Sequence, residues 1–327
     1  MIRPRIVVTG GAGYIGAHVC HLLKARGFSV TVLDDLSTGV RKRVKQFEFV
    51  KLDLTMAPAE IIEQVLTGAV GVIHFAAVKR VDESVRDPLK YYSSNLVSLI
   101  RLLAAMRVCN VNAFVFSSSS SVYGEPRGPL VAEDSACFPV NPYGETKLVG
   151  EWLCQDASIA WGLRAVALRY FNVAGASCPM LGDLYSMTLV PRLVNLALAN
   201  EPLIVNGTDY PTSDGTCARD YVHPEDVADA HLLTLERLLD GHDLEPAYNV
   251  GTGAGSSVLA VIQAAESVLG RPILTSYGPR RPGDPTAVVG DTSLIYEQLG
   301  WQPRYTLADI VSSAFAAHSY LRRIDNP

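Results

Sequence analysis

The sequence predicts an α/β chain built on a doubly wound parallel sheet, with a smaller α/β part towards the C-terminal end. Three observations carry this. Apolar runs at residues 6–9, 29–33, 47–52, 70–75, 113–116 and 164–168 alternate with stretches of helical periodicity, which suits strands buried on both faces of a sheet. A glycine-rich turn, Gly10-Gly11-Ala12-Gly13-Tyr14-Ile15-Gly16, joins the first run to the first helix. An apolar fraction of 48% with 19% charged residues, over 327 residues, supplies a sizeable core and excludes disorder as the main state.

The first unit is the strand IVVT, the glycine turn, and a helix with Ile15, Val19, Leu22 and Leu23 on one face, closed by Gly27. Glycines in such a turn let backbone N–H groups approach a pyrophosphate at the helix N-terminus. The second strand ends in Asp34, where a carboxylate accepts hydrogen bonds from a ribose 2′-hydroxyl and repels a 2′-phosphate. The unit therefore reads as a Rossmann-type site for NAD rather than NADP. A long helix is predicted over residues 91–108, carrying Leu96, Leu99, Ile100, Leu103 and Met106. The run 113–116 leads into five serines, Ser117 to Ser121, at the carboxyl end of a strand, where ligands bind in open α/β sheets. Alternation puts Ser117, Ser119 and Ser121 on one side. Another helix starts at Asn141-Pro142, a cap and first-turn pair.

After Gly175 the alternation weakens, and three loops rich in Gly, Pro and Asp follow: GASCPMLGD, NGTDYPTSDGT and YGPRRPGDPT. Residues 1–178 are expected to form the dinucleotide-binding domain, with a return segment near 219–239, and residues 179–327 a substrate domain. A second glycine cluster, Gly251-Thr252-Gly253-Ala254-Gly255, lacks an acidic residue after a following strand and reads as structural.

The net charge of -5, with RKRVK at 41–45 as the one short basic run, points away from nucleic acid and anionic membranes. Arg101, Arg107 and the Pro191-Arg192 pair interrupt the longest apolar stretches, so none spans a bilayer. The N-terminus runs straight into a strand, without a signal-peptide pattern. The six cysteines form no Cys-x-x-Cys pair and read as reduced and non-ligating, as in a cytoplasmic protein. His18 and His21 share a helix face without further ligands and read as surface histidines, so no metal is expected. His223-Pro224-Glu225-Asp226 reads as a helix start, which makes His231 a helix residue.

Tyr143 and Lys147 stand four residues apart at the start of a helix and share a face. A free tyrosine, with a pKa near about 10, is a poor base at neutral pH. A nearby ammonium favours the phenolate, and the positive ring of NAD favours it further.

Together the segments TGGAGYIG, Asp53-Leu54, VIHFAAVKRVDESV, FSSSSSVYG, NPYGETK, LRYFN, DYPTSDGT-CARDYVH and PRRPGD resemble the extended short-chain dehydrogenase/reductase family. Within it they are most similar to the nucleotide-sugar 4-epimerases, over residues 6–291. The resemblance implies an NAD-dependent isomerase that interconverts UDP-glucose and UDP-galactose through a transient 4-keto sugar. It implies Ser119, Tyr143 and Lys147 as catalytic residues, with Ser119 hydrogen-bonded to the sugar 4-hydroxyl; Ser117 and Ser121 stay open as alternatives. For the cofactor it implies Gly10, Gly13, Tyr14, Ile15, Gly16, Asp34, Asp35, Leu36, Ser37, Asp53, Leu54, Phe75, Ala76, Ala77, Lys79, Asn95, Ser117 and Phe171, besides Tyr143 and Lys147. For the UDP-sugar it implies Lys79, Ser119, Tyr143, Asn172, Thr188, Val190, Arg219, Tyr221, Arg281, Asp284 and Val288. The two arginines suit a diphosphate, since guanidinium groups bind oxyanions bidentately.

Several positions depart from the family pattern. Ser94 stands where a second asparagine is frequent, and Val173 replaces a proline. Thr188 replaces an asparagine or histidine that touches the sugar nucleotide. Val288 has intermediate bulk where a larger residue narrows the pocket, so some activity on UDP-N-acetylglucosamine is expected. UDP-glucuronate and UDP-pentoses are alternative substrates. A 4,6-dehydratase would need an Asp-Glu pair where Ser120 and Ser121 stand, and a catalytically silent NAD-binding regulator would not need Ser119, Tyr143 and Lys147. Surplus apolar residues on the helices at 91–108 and from 143 onward point to a homodimer.

Overall fold

The computed structural model describes residues 3–126, 128, 130–183, 187–281 and 284–325; Pro282 and Gly283 of the PRRPGD motif lie outside them. The apolar runs become β1 (Arg5–Thr9), β2 (Ser29–Asp34), β3 (Glu48–Lys51), β4 (Gly71–His74), β5 (Ala113–Ser117) and β6 (Arg164–Tyr170). Seven further strands follow among the described residues: β7 (Asn172–Val173), β8 (Leu203–Asn206), β9 (Ala218–Val222), β10 (Ala247–Val250), β11 (Gly255–Ser257), β12 (Thr275–Gly278) and β13 (Ala287–Val288). The helices are α1 (Tyr14–Ala25), α2 (Ala59–Leu66), α3 (Val81–Arg86), α4 (Pro88–Tyr92), α5 (Ser98–Val108), α6 (Pro142–Trp161), α7 (Leu189–Ala199), α8 (Pro224–Leu239), α9 (Val258–Leu269), α10 (Ser293–Leu299) and α11 (Leu307–Asp325).

One parallel sheet runs in the order β10-β6-β5-β4-β1-β2-β3. Both faces are covered, as the unbroken apolar strands require. In β1, Ile6 and Val8 join the core made with α1 and α8, while Val7 joins the core made with α2, α5 and α6. The strand order reverses between β1 and β4, and that reversal opens a crevice at the carboxyl ends of the two strands. The glycine turn, the segment after β4 and the serine row after β5 all open onto this edge.

The sheet takes in more of the C-terminal half than a boundary at 178 with a return at 219–239 describes. Helix α8 packs on α1, β5 and β6, and β10 then pairs with β6, so the return continues to residue 250. Residues 218–222 instead form β9, the centre of a small sheet with β7, β11 and β13. Helices α7, α9 and α11 cover that part through a separate apolar core that includes Val194, Ile262 and Ile310.

The helix expected over 91–108 is interrupted. Between α4 and α5, residues 93–97 make a π-helical turn, a feature that recurs at functional sites. His18 also departs from expectation. It is 3% exposed, its Nδ1 lying 2.8 Å from the Tyr14 carbonyl and its Nε2 accepting from the Ser177 N–H at 3.1 Å, so it braces the crossing chain instead of facing solvent. His231 is fully buried in α8.

The second glycine cluster is occupied from within. The Asp220 carboxylate accepts from the N–H groups of Thr252 (2.7 Å), Gly253 (3.1 Å) and Gly290 (3.2 Å), and from the Thr252 hydroxyl (2.6 Å). A carboxylate from β9 thus fills the turn that follows β10 and ties the two sheets together. Asp220→Ala would leave the N–H groups of Thr252, Gly253 and Gly290, the last of them buried, without their acceptor and should destabilise the fold by about 2 kcal/mol, measured by reversible denaturation. Asp220→Asn should recover part of that loss.

Candidate active site

At the phosphate-loop end, Gly10 has φ +66, and a Cβ there would lie 2.6 Å from the Ala76 nitrogen. A Cβ on Gly16 would lie 2.5 Å from the Gly10 carbonyl. The loop therefore presses backbone against backbone, as a cradle for a pyrophosphate needs. Gly13 is the N-cap of α1, with no side-chain cap and no acidic residue in the first turn, so the helix end keeps its positive potential for an anion. The protein provides the sites at which a dinucleotide fits.

Asp34 is held first by the loop itself. Its carboxylate accepts from the Ala12 N–H (2.9 Å) and the Leu36 N–H (2.8 Å), and burial raises its pKa. Asp35 accepts from the Ser37 N–H and hydroxyl at 2.8 and 2.7 Å, in an exposed turn. Ile15 is half-buried, and Tyr14 donates to the Gly175 carbonyl at 2.6 Å. The Lys79 ammonium stands 5.9 Å from the centre of the Tyr14 ring. Asp53 folds its own turn by accepting from the N–H (2.8 Å) and hydroxyl (2.7 Å) of Thr55, whereas Leu54 is buried in the core.

After β4, Phe75 bonds back to β1 (N–H to the Thr9 carbonyl, 2.9 Å), and its ring lies 4.7 Å from that of His231. Ala76 and Ala77 are half-buried beside it. Asn95, in the π turn, accepts from the Val78 N–H (2.8 Å) and donates to the Val78 carbonyl (3.1 Å) and the Thr146 hydroxyl (2.9 Å). Its amide braces the segment 75–79 against α6. The extra residue of the π turn places that amide, and no periodicity in the sequence marks it.

The serine row has more than one role. Strand β5 ends at Ser117, so alternation does not run through to Ser121. The Ser117 hydroxyl lies 3.0 Å from His231 Nε2, beneath the crevice. The Ser118 hydroxyl turns away and donates to Glu151. Ser119 caps the short helical turn at 120–123, donates its hydroxyl to that of Ser121 at 3.1 Å, and lies close enough to the Tyr143 phenol to favour its ionised form. Among the three candidates, geometry brings Ser119 to the tyrosine.

Helix α6 begins where Asn141 caps Gly144 (2.9 Å) and Pro142 occupies the first turn. Two glycines let it approach the row: a Cβ on Gly144 would lie 2.6 Å from the Ser121 carbonyl, and one on Gly150 would lie 2.5 Å from the Phe116 ring. This close packing carries Lys147 to the strand end, where its ammonium donates to the Ser117 carbonyl at 2.7 Å. The same ammonium stands 5.9 Å from the centre of the Tyr143 ring and 5.1 Å from that of Phe116.

The lysine does not by itself make the phenol a base. Burial pushes Tyr143 up to about 12, opposed by the Ser119 hydrogen bond. Burial also pulls Lys147 down to about 8, opposed by the Glu151 charge. Desolvation outweighs the attraction expected from the four-residue spacing. A further positive charge would favour ionisation of Tyr143 towards neutral pH.

On the other side of the crevice, Arg219 pairs with the Asp284 carboxylate and donates to the carbonyls of Ala218 (2.7 Å) and Pro285 (2.9 Å). Val288 lies opposite Arg219 in the β13–β9 register, and Asn172 lies opposite Tyr221 in β7–β9. Arg281, Asn172 and Thr188 are exposed, and Thr188 is the N-cap of α7. Phe171 is buried with its ring against Gly290. Val190 and Tyr221 belong to the second core, which leaves chiefly their backbone for a ligand.

The Glu151–Arg169 pair, the bond from Ser118 to Glu151 and the contact of His231 with Ser117 escaped the sequence reading. Glu151 follows Lys147 by one turn on the same helix face, which was the available signal.

A glycine cradle at a strand-order reversal, facing a serine–tyrosine–lysine cluster, defines a nucleotide-dependent enzyme of the short-chain dehydrogenase/reductase type. Residues 6–251 match the NAD dependent epimerase/dehydratase family, and the chain belongs to it. Among curated relatives, the UDP-glucose 4-epimerase of Rhizobium meliloti (strain 1021) is 40% identical over 325 residues, covering 98% of each chain. That of Azospirillum brasilense is 41% identical over 322 residues, covering 96% of this chain and 91% of its own. The crystal structure of UDP-glucose-4-epimerase from Stenotrophomonas maltophila, with bound NAD and formylated UDP-arabinopyranose, superposes with a TM-score of 0.94 at 37% identity, covering 98% of this chain and 100% of that one.

In protein stripped of nucleotide, the near-ultraviolet difference titration of wild type against Tyr143→Phe should show no phenolate signal from Tyr143 below about pH 10. A Tyr143 phenolate near neutral pH would contradict the dominance of burial.

Proposed function

We propose that this protein is an NAD-dependent isomerase that interconverts UDP-glucose and UDP-galactose at carbon 4 of the hexose. The observation that carries the reading is the Ser119–Tyr143–Lys147 arrangement at the carboxyl end of β5, on the same sheet edge as the glycine cradle of β1 and separated from it by β4. When bound, NAD accepts the carbon-4 hydride and later returns it, and its positive ring favours the Tyr143 phenolate. Tyr143 takes the proton of the 4-hydroxyl, and Ser119 relays it. Lys147, anchored on the Ser117 carbonyl, holds its positive charge beside the phenol and keeps donors for the cofactor ribose. The cofactor candidates run from Gly10 to Ser37 along the loop and the end of β2, then through Asp53, Phe75, Ala76, Ala77 and Lys79, with Asn95 as a brace and Phe171 at the nicotinamide side.

The 4-keto sugar has to present its other face, so the protein grips the nucleotide and leaves the hexose loose. Arg219 and Arg281 are the diphosphate ligands in this reading, with Asn172 on the phosphate side and Asp284 near the ribose. Val288 borders the hexose, and its modest bulk supports partial acceptance of UDP-N-acetylglucosamine. No helix among the described residues is long and apolar enough to cross a membrane. Ile100, Val108, Trp152 and Ile159 expose apolar surface on α5 and α6, which supports a homodimer through these two helices, and the six free cysteines support a reducing compartment such as the cytoplasm.

Incubation of the pure protein with UDP-galactose and no added cofactor should yield UDP-glucose. Tyr143→Phe should lower kcat by about 10²-fold or more with KM little changed; near wild-type turnover would refute the assignment. Val288→Tyr should suppress turnover of acetamido sugars and spare UDP-galactose, whereas strict exclusion of acetamido sugars by the wild type would remove the role given to Val288. Sedimentation should give twice the chain mass, and Trp152→Glu with Ile159→Glu should shift it to monomer.

A further inference from the structure

Beneath the serine row lies a buried polar group that proton transfer at Tyr143 does not itself require. Glu151, on α6, and Arg169, on β6, each have side chains 9% exposed and pair at 2.6 Å from Nη2 to Oε2. Arg169 Nε adds bonds of 3.0 and 3.1 Å to the two carboxylate oxygens. Its remaining nitrogen donates to the Tyr123 hydroxyl (2.9 Å) and the Glu133 carbonyl (3.0 Å), which fixes the guanidinium in one orientation. Oε1, which takes only the Nε bond of this fork, also accepts the Ser118 hydroxyl. Ser118 is also pinned by its own N–H, which donates to the Leu168 carbonyl of β6 at 2.9 Å.

Ser118 sits between the two residues that meet the reaction groups. The carbonyl before it, on Ser117, holds the Lys147 ammonium, and the hydroxyl after it, on Ser119, lies beside the Tyr143 phenol and favours its ionised form. We infer that Glu151 is a positioning residue for the epimerisation proposed above: by gripping Ser118 it fixes the strand end that aims Ser117 at Lys147 and Ser119 at Tyr143. The inference rests on that reading of the reaction.

The charge of Glu151 has a second consequence. The ionisable groups around Lys147 are Tyr143, Glu151 and Cys154 on its own helix, His74 on β4, Arg169 and Tyr170 on β6, and His231 on α8 behind Ser117. Burial keeps His74 and His231 neutral and raises the Cys154 thiol and the Tyr170 phenol. Glu151 is then the anion that opposes the burial of the Lys147 ammonium. A stabilising ion pair without this role would affect folding and leave the pH profile of turnover alone.

The test is kcat and KM for UDP-galactose against pH, on NAD-loaded wild type, Glu151→Gln, Glu151→Asp and Ser118→Ala. Glu151→Gln should lower kcat by about 10²-fold with KM little changed, and its loss of activity at alkaline pH should set in at lower pH than in wild type. That sign follows because Lys147, without its anion and with Arg169 uncompensated, sheds its proton more readily. Glu151→Asp should restore the alkaline limb, since the charge returns. Ser118→Ala should lower kcat and leave the alkaline limb in place. Glu151→Gln with the wild-type profile overturns the inference; if that variant does not fold, wild-type kcat in Ser118→Ala overturns it. A wild type that does not turn over UDP-galactose removes the reading of the reaction and this inference with it, whereas an active wild type with unaltered variants removes this inference alone.

Discussion

The site depends on one contact, the Lys147 ammonium on the Ser117 carbonyl, made where the end of β5 meets the first turns of α6. A backbone carbonyl at a strand terminus has no ladder partner, and an ammonium supplies one. In return the lysine is fixed without being neutralised, because a carbonyl accepts a hydrogen bond and takes no proton. Gly144 and Gly150 let the helix come close enough for this, since a Cβ at either would strike the serine row or the Phe116 ring. The sheet order places the same strand end on the same edge as the glycine cradle, with β4 between them.

That closeness has an electrostatic cost. Burial drives the tyrosine up and the lysine down, each towards its neutral form. In the function proposed above, a phenol and an amine both pushed towards their neutral forms gain from a further cation. The positive ring of a dinucleotide supplies one in the oxidised state and withdraws it on reduction. The proton affinity of the tyrosine should therefore follow the redox state of the bound cofactor: low when a proton has to be taken and high when it has to be returned. A reversible isomerisation requires that alternation.

Much of this architecture was legible in the chain. Buried strands in a two-faced sheet leave long apolar runs, and the glycine turn between β1 and α1 has few other physical explanations. Side-chain pairs on one helix, such as Tyr143 and Lys147, follow from spacing alone. Features set by tertiary packing were not legible. The π turn at 93–97 has the composition of ordinary helix, and its role shows only in where the Asn95 amide lands. His18 looked like a surface residue because its partner, Ser177, lies 159 positions away. The serines are chemically identical, and what separates them is the neighbour each meets: His231, Glu151 or Tyr143. The balance of charge and burial at Lys147 could not be read from spacing, because spacing carries no dielectric.

The most direct measurement compares the ionisation of Tyr143 with oxidised and with reduced cofactor bound, by difference titration against Tyr143→Phe under the same two conditions. The account predicts a phenol that ionises near neutral pH with NAD and resists ionisation beyond about pH 10 with NADH. Equal titration in the two states would contradict it.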